Sequence, residues 1–183
     1  MAIDVGGTTQ YASYSAGSSS NTLQFTYTIA AGQSDADGIS VNANGLSLNG
    51  GTIKDSSGNN AVLTHASVAN NASYLVDTTV AAPVINAVAI DDVVNGTEAT
   101  AGFNLTGTGE AGATVSLSLS SGRTLTAGNT VVVGTDGTWS KAVDAADVTA
   151  FGQGVEIVTA TQTDRAGNVS ASIAREISVD TTV

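Results

Sequence analysis

Residues 115–119 read Val-Ser-Leu-Ser-Leu, and this alternation of apolar and polar residues is typical of a β-strand with one buried face. The same period of two runs through residues 23–29, Leu-Gln-Phe-Thr-Tyr-Thr-Ile. Short apolar segments between turn residues predict further strands. They are residues 39–41, 46–48, 84–89, 103–107, 131–133, 139–143, 155–163 and 173–179. Only residues 144–150 predict a helix, a single turn capped by Asp144. The sequence therefore predicts an all-β protein.

The composition argues against several classes of function. Five Lys and Arg residues against sixteen Asp and Glu residues give a net charge of −11, which disfavours binding to nucleic acid or to an anionic membrane. With no Cys and one His, the chain has no disulfide, no thiolate metal site and no multi-histidine metal site. No apolar run approaches the roughly 18 residues of a membrane span, and the N-terminus lacks the features of a signal peptide. We therefore expect no membrane insertion and, for a secreted protein, an export signal outside this piece.

Two short strings occur twice in the same order, which identifies an internal repeat. The first copy reads Asp-Ser-Ser-Gly-Asn at residues 55–59 and Val-Asp-Thr-Thr at residues 76–79. The second copy reads Asp-Arg-Ala-Gly-Asn at residues 164–168 and Val-Asp-Thr-Thr at residues 179–182. The copies are offset by 109 and 103 residues, close to the ~100 residues of one immunoglobulin-like sandwich. We expect two domains, 1–79 and 80–183.

The first domain is shorter than the second by about a quarter, so we expect it to lack its N-terminal strand or strands. Two explanations stay open. The cut reflects how this piece was defined, or the domain is naturally open and is completed by a strand from another chain, for example by self-association.

Several strings together resemble the tandem bacterial immunoglobulin-like repeats of giant type I-secreted (RTX-type), calcium-dependent surface adhesins. The resemblance covers nearly the whole chain and rests on residues 25–32, 35–39, 48–55, 76–79, 105–115, 136–140, 163–170 and 179–182. It implies two tandem immunoglobulin-like β-sandwich domains on the bacterial cell surface. It also implies that the repeats are extracellular spacers, stiffened by Ca²⁺, that hold an adhesive region away from the cell.

The order of strands in such a sandwich predicts where the acidic turns meet. The turns at Glu110 and Asp164 fall at the end where the chain arrives from Asp77. Calcium takes six to eight oxygen ligands, and three converging carboxylates would supply the charged part of a site. We therefore expect a first calcium site at these three residues. A second site would use Asp91, Asp92 and Asp180, completed by the next repeat.

Other interpretations of the acidic loops stay open. Asp55, the counterpart of Asp164 in the first unit, is a further candidate calcium ligand. Asp55 and Asp164 are also suited to capping their own turns through hydrogen bonds from side chain to backbone. Asp35 and Asp37, in Asp-Ala-Asp-Gly, resemble the start of a calcium loop, but the third ligand and the distal Glu of an EF-hand are missing.

Motifs of enzymes find little support in the sequence. Residues 107–112 match the dinucleotide fingerprint GxGxxG, but a strand pattern follows instead of a helix and Glu110 would repel phosphate. His65 has no accompanying nucleophile elbow, and Trp139 is most simply a core aromatic. We expect no enzymatic activity. The expected function is an extender segment that projects an adhesive region for cell attachment and biofilm formation, with neighbouring repeats as partners. The alternative is a binding module for a peptide, a partner strand or carbohydrate.

Overall fold

The computed structural model describes residues 1–182, and the chain divides into two compact units, Met1–Thr79 and Val80–Val183. Across the described residues it forms fifteen strands and two short helices. Strands predominate, as the alternating pattern predicts, and the all-β expectation is confirmed.

The first unit contains seven short strands in three small antiparallel sheets. They are β1 (Ala2–Val5), β2 (Thr8–Tyr11), β3 (Ser13–Ala16), β4 (Gln24–Thr26), β5 (Ser34–Asp35), β6 (Ser40–Val41) and β7 (Val76–Asp77). The sheets have the orders β2-β1-β6, β3-β4 and β5-β7. Ile3, Val5 and Val76 form a small buried core, against which Tyr27 and Val41 pack.

The predicted strand at residues 46–48 is wrong, because these residues have no strand pairing in the structure. The segment lies between two turns in which Asn44 and Asn49 adopt positive φ angles of 54° and 44°. The Gly51 amide donates a hydrogen bond to the Leu48 carbonyl at 2.7 Å, which turns the chain away. Apolar residues alone therefore did not make a strand here, because a strand also needs a partner.

The second unit contains eight strands and both helices. The strands are β8 (Val84–Ile85), β9 (Val93–Val94), β10 (Phe103–Thr108), β11 (Thr114–Leu119), β12 (Thr130–Val132), β13 (Thr138–Val143), β14 (Gly154–Thr163) and β15 (Ile173–Val179). The helices are α1 (Gly96–Ala101) and α2 (Ala145–Phe151).

These strands form two sheets, with the orders β13-β10-β8 and β12-β11-β14-β15-β9. All pairs are antiparallel except β15 with β9, which is parallel. The β10–β13 pair takes the place of strands B and E of an immunoglobulin domain, and β11, β14 and β15 take the places of C, F and G. The first strand is divided between the sheets as β8 and β9. The second unit is an immunoglobulin-like sandwich.

Alternating side chains from both sheets fill the core of the second unit. In β11 Val115, Leu117 and Leu119 are buried, and the serines between them are exposed. Trp139 is 3% exposed in this core, and its Nε1 donates to the Thr108 carbonyl at 3.2 Å. The core also contains Ile85, Val88, Val94, Leu105, Ala113, Leu125, Val133, Val143, Val148, Val158, Ala160, Ile177 and Val179.

The helix predicted after Asp144 is confirmed as α2. The Asp144 side chain accepts a hydrogen bond from the Asp147 amide at 2.9 Å. The helix α1 was not predicted, so the expectation of a single helical turn was wrong. Asn95 caps α1 and Glu98 completes a capping box, a spacing that is readable in the sequence.

Candidate metal centre

Asp164 caps the turn that follows β14. Its Oδ1 accepts from the Asn168 amide at 2.8 Å, and its Oδ2 accepts from Asn168 Nδ2 at 2.7 Å. The Asp164 amide donates to the Asn168 carbonyl at 3.1 Å, and Gly167 takes a φ of 93° that favours glycine. The residue is 7% exposed. The turn-capping interpretation of Asp164 is therefore confirmed.

Asp55 makes the same turn in the first unit. Its Oδ1 accepts from the Asn59 amide at 2.9 Å, its Oδ2 accepts from Asn59 Nδ2 at 2.8 Å, and Gly58 has a φ of 88°. These bonds lower the pKa of Asp55, the Asn59 side chain contributing most. Asp55 is exposed, and within residues 1–182 it joins no group of three acids close enough to share an ion. The repeated string therefore encodes one turn geometry in both units.

Glu110 lies in the turn between β10 and β11, on the same end of the sandwich as the Asp164 turn. A carboxylate oxygen of Glu110 lies within 4.8 Å of one from Asp164. The Ala113 amide donates to the Glu110 carbonyl at 2.9 Å, and Gly112 has a φ of 83°. We refer to Glu110 and Asp164 as the acidic pair. It joins residues 54 positions apart in sequence because β11 pairs with β14.

The electrostatics of the acidic pair favour a bound cation. Burial raises the pKa of Asp164, but hydrogen bonds from the Asn168 side chain and amide lower it by more, so the pKa is lowered overall. Asp164 is therefore ionised at neutral pH. Two carboxylates at this separation repel each other, and an ion with oxygen ligands such as Ca²⁺ relieves that repulsion. The donor set fits calcium.

One basic side chain lies beside the acidic pair. Arg165 follows Asp164, and its side chain passes over Gly112, two residues after Glu110. A Cβ atom at Gly112 would lie 2.6 Å from Arg165 Nε and 2.7 Å from Nη2. The guanidinium therefore places a positive charge close to the turn that holds Glu110.

Asp77, the third residue of the predicted site, belongs to the first unit, in β7. It pairs with Ser34 across the sheet, and its Oδ1 accepts from the Thr79 amide at 3.2 Å. Asp77 lies three residues before Val80, where the second unit begins. Its participation in the metal centre stays a prediction.

The second predicted site contains an ion pair that the sequence analysis missed. Asp92 binds Arg175 through two bonds, Nε to Oδ1 at 2.7 Å and Nη2 to Oδ2 at 2.6 Å. Asp91 accepts from the Val93 amide at 3.0 Å, and Asp180 accepts from the Thr182 hydroxyl at 3.1 Å. In the part of the chain that the structure describes, Asp91, Asp92 and Asp180 are not gathered into a group of three. A metal site here stays a prediction that depends on ligands from another repeat.

Asp35 and Asp37 lie in the first unit and organise a loop. Asp35 is 2% exposed and accepts from the Gly6 amide at 2.9 Å, the Gly38 amide at 2.7 Å and the Asp37 amide at 3.2 Å. The bond from Gly6 is the main reason why the pKa of Asp35 is lowered. Asp37 accepts from Asn70 Nδ2. Asp35 thus links the turn after β1 to its own loop, and calcium binding here stays a prediction.

Two buried polar residues on β14 carried a signal that the sequence analysis did not use. The inward positions of this strand are Glu156, Val158, Ala160 and Gln162, so two polar side chains face the core. Glu156 accepts from the Ser120 hydroxyl at 2.8 Å and the Ser121 amide at 3.0 Å. Gln162 contacts the turn of Glu110. A polar residue at an inward strand position indicates a specific buried partner.

The first glycine of the GxGxxG string serves strand packing. Gly107 lies in β10, and a Cβ atom there would lie 1.8 Å from the Val84 carbonyl oxygen and 2.6 Å from ring carbons of Trp139. The element after the string is the strand β11.

Within residues 1–182, no helix is both long and apolar enough to cross a membrane.

Comparison with family models and with curated proteins finds no match. Among solved structures, the chain is similar to a bacterial immunoglobulin-like domain of the M. primoryensis ice-binding adhesin. The identity is 29%, over 56% of this chain and 99% of that chain, with a TM-score of 0.40. A Ca²⁺-stabilised adhesin with which an Antarctic bacterium binds ice is 27% identical over 99% of this chain and 40% of that chain, with a TM-score of 0.40.

A tetra-tandem repeat from the extending region of a large adhesion protein is 25% identical, over 81% of this chain and 33% of that chain, with a TM-score of 0.41. The chain therefore spans about two fifths and one third of the length of the last two structures. These similarities are to a bacterial immunoglobulin-like domain of one adhesin, to a second, Ca²⁺-stabilised adhesin, and to tandem repeats of a large adhesion protein. The immunoglobulin-like fold of the second unit follows independently from its own strand order.

Proposed function

We propose that this chain is an extender segment of a bacterial cell-surface adhesin, stiffened by calcium where one repeat follows another. The observation that carries the proposal is the acidic pair at the end of the second unit where the chain arrives. The chain would be extracellular, exported by a type I system, and its partners would be neighbouring repeats. Its role is to project an adhesive region for attachment and biofilm formation.

Chain connectivity supports Asp77 as a third ligand. The Ala81 carbonyl accepts a hydrogen bond from Gln162 Nε2, and Gln162 Oε1 accepts from the Glu110 amide. The start of the second unit is thus held beside the turn that bears Glu110. Ala81 is four positions after Asp77, and an extended chain covers about 3.3–3.6 Å per residue. Asp77 therefore lies within about 14 Å of Ala81 along the chain. We propose that it is the third of three carboxylates around one Ca²⁺.

The proposed action is mechanical. Without calcium, carboxylates near the short segment 78–80, between Asp77 and the anchored Ala81, repel each other, and the segment acts as a hinge. With calcium, the ion ties residues on both sides of that segment together. Extracellular modules bind calcium at about 10⁻⁴–10⁻³ M, so the segment would be loose inside the cell and stiff after export. Binding to the folded state alone also adds to stability.

Small-angle X-ray scattering together with thermal melts tests this proposal. The full chain is measured in a few millimolar calcium, in excess chelator, and in magnesium at matched ionic strength. We expect a larger maximum dimension and a higher melting temperature in calcium only. Magnesium controls for simple charge screening, because it needs near-octahedral geometry and keeps several waters. Identical curves in calcium and chelator would refute calcium stiffening.

The alternative is a binding module, and a cavity of about 330 Å³ in the first unit favours it. Tyr14 and Phe25 meet there edge to face with ring centroids 6.1 Å apart, and Leu23 and Leu48 line the cavity while partly exposed. Apolar side chains from a partner strand would fit such a surface. Light scattering over a dilution series tests this alternative. A molecular mass that rises with concentration would support the binding module over a passive spacer, provided that Leu48→Asp abolishes this rise.

A further inference from the structure

Gln162 is the buried polar residue closest in sequence to Asp164, and it lies on β14, the strand that ends just before Asp164. It is 1% exposed on the inward face of β14. Its backbone is held on both sides by Ser170, because the Gln162 amide donates to Ser170 Oγ at 2.9 Å and the Ser170 amide donates to the Gln162 carbonyl at 2.9 Å. The strand therefore presents the Gln162 side chain in one fixed place.

The amide group of this side chain bridges two segments that are distant in sequence. Its Nε2 donates to the Ala81 carbonyl at 2.7 Å, and its Oε1 accepts from the Glu110 amide at 3.1 Å. One segment brings the chain into the second unit, and the other bears a member of the acidic pair. A buried amide must satisfy both its donor and its acceptor, so the two segments are held at a set separation.

The residue before Glu110 is shaped for this contact. A Cβ atom at Gly109 would lie 2.4 Å from Gln162 Oε1 and 3.1 Å from a methyl carbon of Val133. Only a residue without a side chain lets the turn approach the amide so closely. Glu110 is thus placed through its backbone by Gln162, while Asp164 follows Gln162 by two residues on the same chain.

We propose that Gln162 is the positioning residue of the metal centre. It holds the Glu110 turn against β14, the strand that leads into Asp164, and it anchors the incoming chain at Ala81, before any ion binds. This inference rests on the proposed function. Residues that orient metal ligands from behind typically change metal affinity by about 10–100-fold when replaced. A structural role alone would instead lower stability and leave affinity unchanged.

The test separates affinity from stability in the full chain. Calcium affinity is measured by titration calorimetry, and stability without calcium is measured by urea denaturation followed through Trp139 fluorescence. Gln162→Met keeps the length of the side chain and removes both hydrogen bonds. Ser170→Ala is the matched control, since it disturbs the same stretch of β14 without touching Ala81 or Glu110.

We expect Gln162→Met to raise the calcium Kd about 10–100-fold. Ser170→Ala should leave the Kd within about twofold, although both variants lose stability without calcium. If Gln162→Met does not fold, Gln162→Asn takes its place, because its shorter amide cannot bridge Ala81 and Glu110. An unchanged Kd in the folded Gln162 variant, with reduced stability, would overturn the inference and leave the calcium site standing. A wild-type chain that binds no calcium at millimolar concentration would overturn the proposed function and this inference together.

Discussion

Replacing Asp164 by Asn should remove the calcium dependence of stability in the second unit. The substitution keeps the size of the side chain but removes one charge of the acidic pair. In about 10 mM calcium, with a Kd of about 0.1–1 mM, binding stabilises the wild-type unit by about 1.4–2.7 kcal/mol. For a unit of about 100 residues, each kcal/mol shifts the melting temperature by about 4–8 °C. Calcium should therefore raise the wild-type melting temperature by about 6–22 °C, and that of Asp164→Asn by less than about 2 °C.

Trp139 reports this transition, because it is the single Trp of the chain and is buried in the core of the second unit. Melts of wild type and variant are followed by its fluorescence, with calcium and with chelator. For each protein, the melting temperature in calcium is compared with that in chelator. A loss of turn capping lowers both temperatures and therefore does not change the difference between them.

Asp136→Asn is the matched control for this experiment. Asp136 caps another turn of the second unit, where its Oδ1 accepts from the Thr138 amide at 3.0 Å, and this bond is the main cause of its lowered pKa. It belongs to no acidic group of three within residues 1–182. The control should keep the full calcium increment. If Asp164→Asn also keeps it, or if both variants lose it equally, the acidic pair is not the calcium site.

Three further predictions concern the same unit. Arg165→Gln should tighten calcium binding about two- to fivefold at low salt, because it removes a cation beside Glu110, and calorimetry showing equal or weaker binding would contradict this. Gly107→Ala should cost about 1–3 kcal/mol of unfolding free energy in urea denaturation, since its Cβ would overlap the Val84 carbonyl; a cost below about 0.5 kcal/mol would count against it. The pKa of Asp92 is lowered, mainly by its hydrogen bonds with Arg175, so its contribution to stability is complete above about pH 4 and is lost as pH falls through the lower folded pKa. Asp92→Asn should therefore flatten the loss of stability as the pH falls below about 4, and equal slopes in the two chains would argue against this assignment.

The long strands are properties of the sequence itself. Residues 115–119 and 173–179 are predicted as strands and lie in β11 and β15, because period-two alternation is a local pattern that fits a half-buried strand. The turns after Asp55 and Asp164 are equally local, since each side chain bonds to groups within four residues. The repeated strings therefore predicted the same turn in each unit.

Short strands depend on tertiary structure. The strands β5, β7 and β9 have two residues each, too few for a sequence pattern, and they exist because a partner strand lies beside them. Residues 46–48 show the converse, an apolar segment without a partner and without strand structure. The free energy of strand pairing depends on the adjacent strand, so the sequence of the segment alone does not determine it.

The types of ligand for the metal centre could be read from the sequence, but the residues that place them could not. Asp and Glu in turns predict oxygen ligands. In contrast, Gln162 bonds to groups 52 and 81 positions away, and Arg175 bonds to Asp92 across 83 positions. A polar residue at an inward strand position indicates that a buried hydrogen bond is required. The partner in that bond is determined only when the sheets pack together.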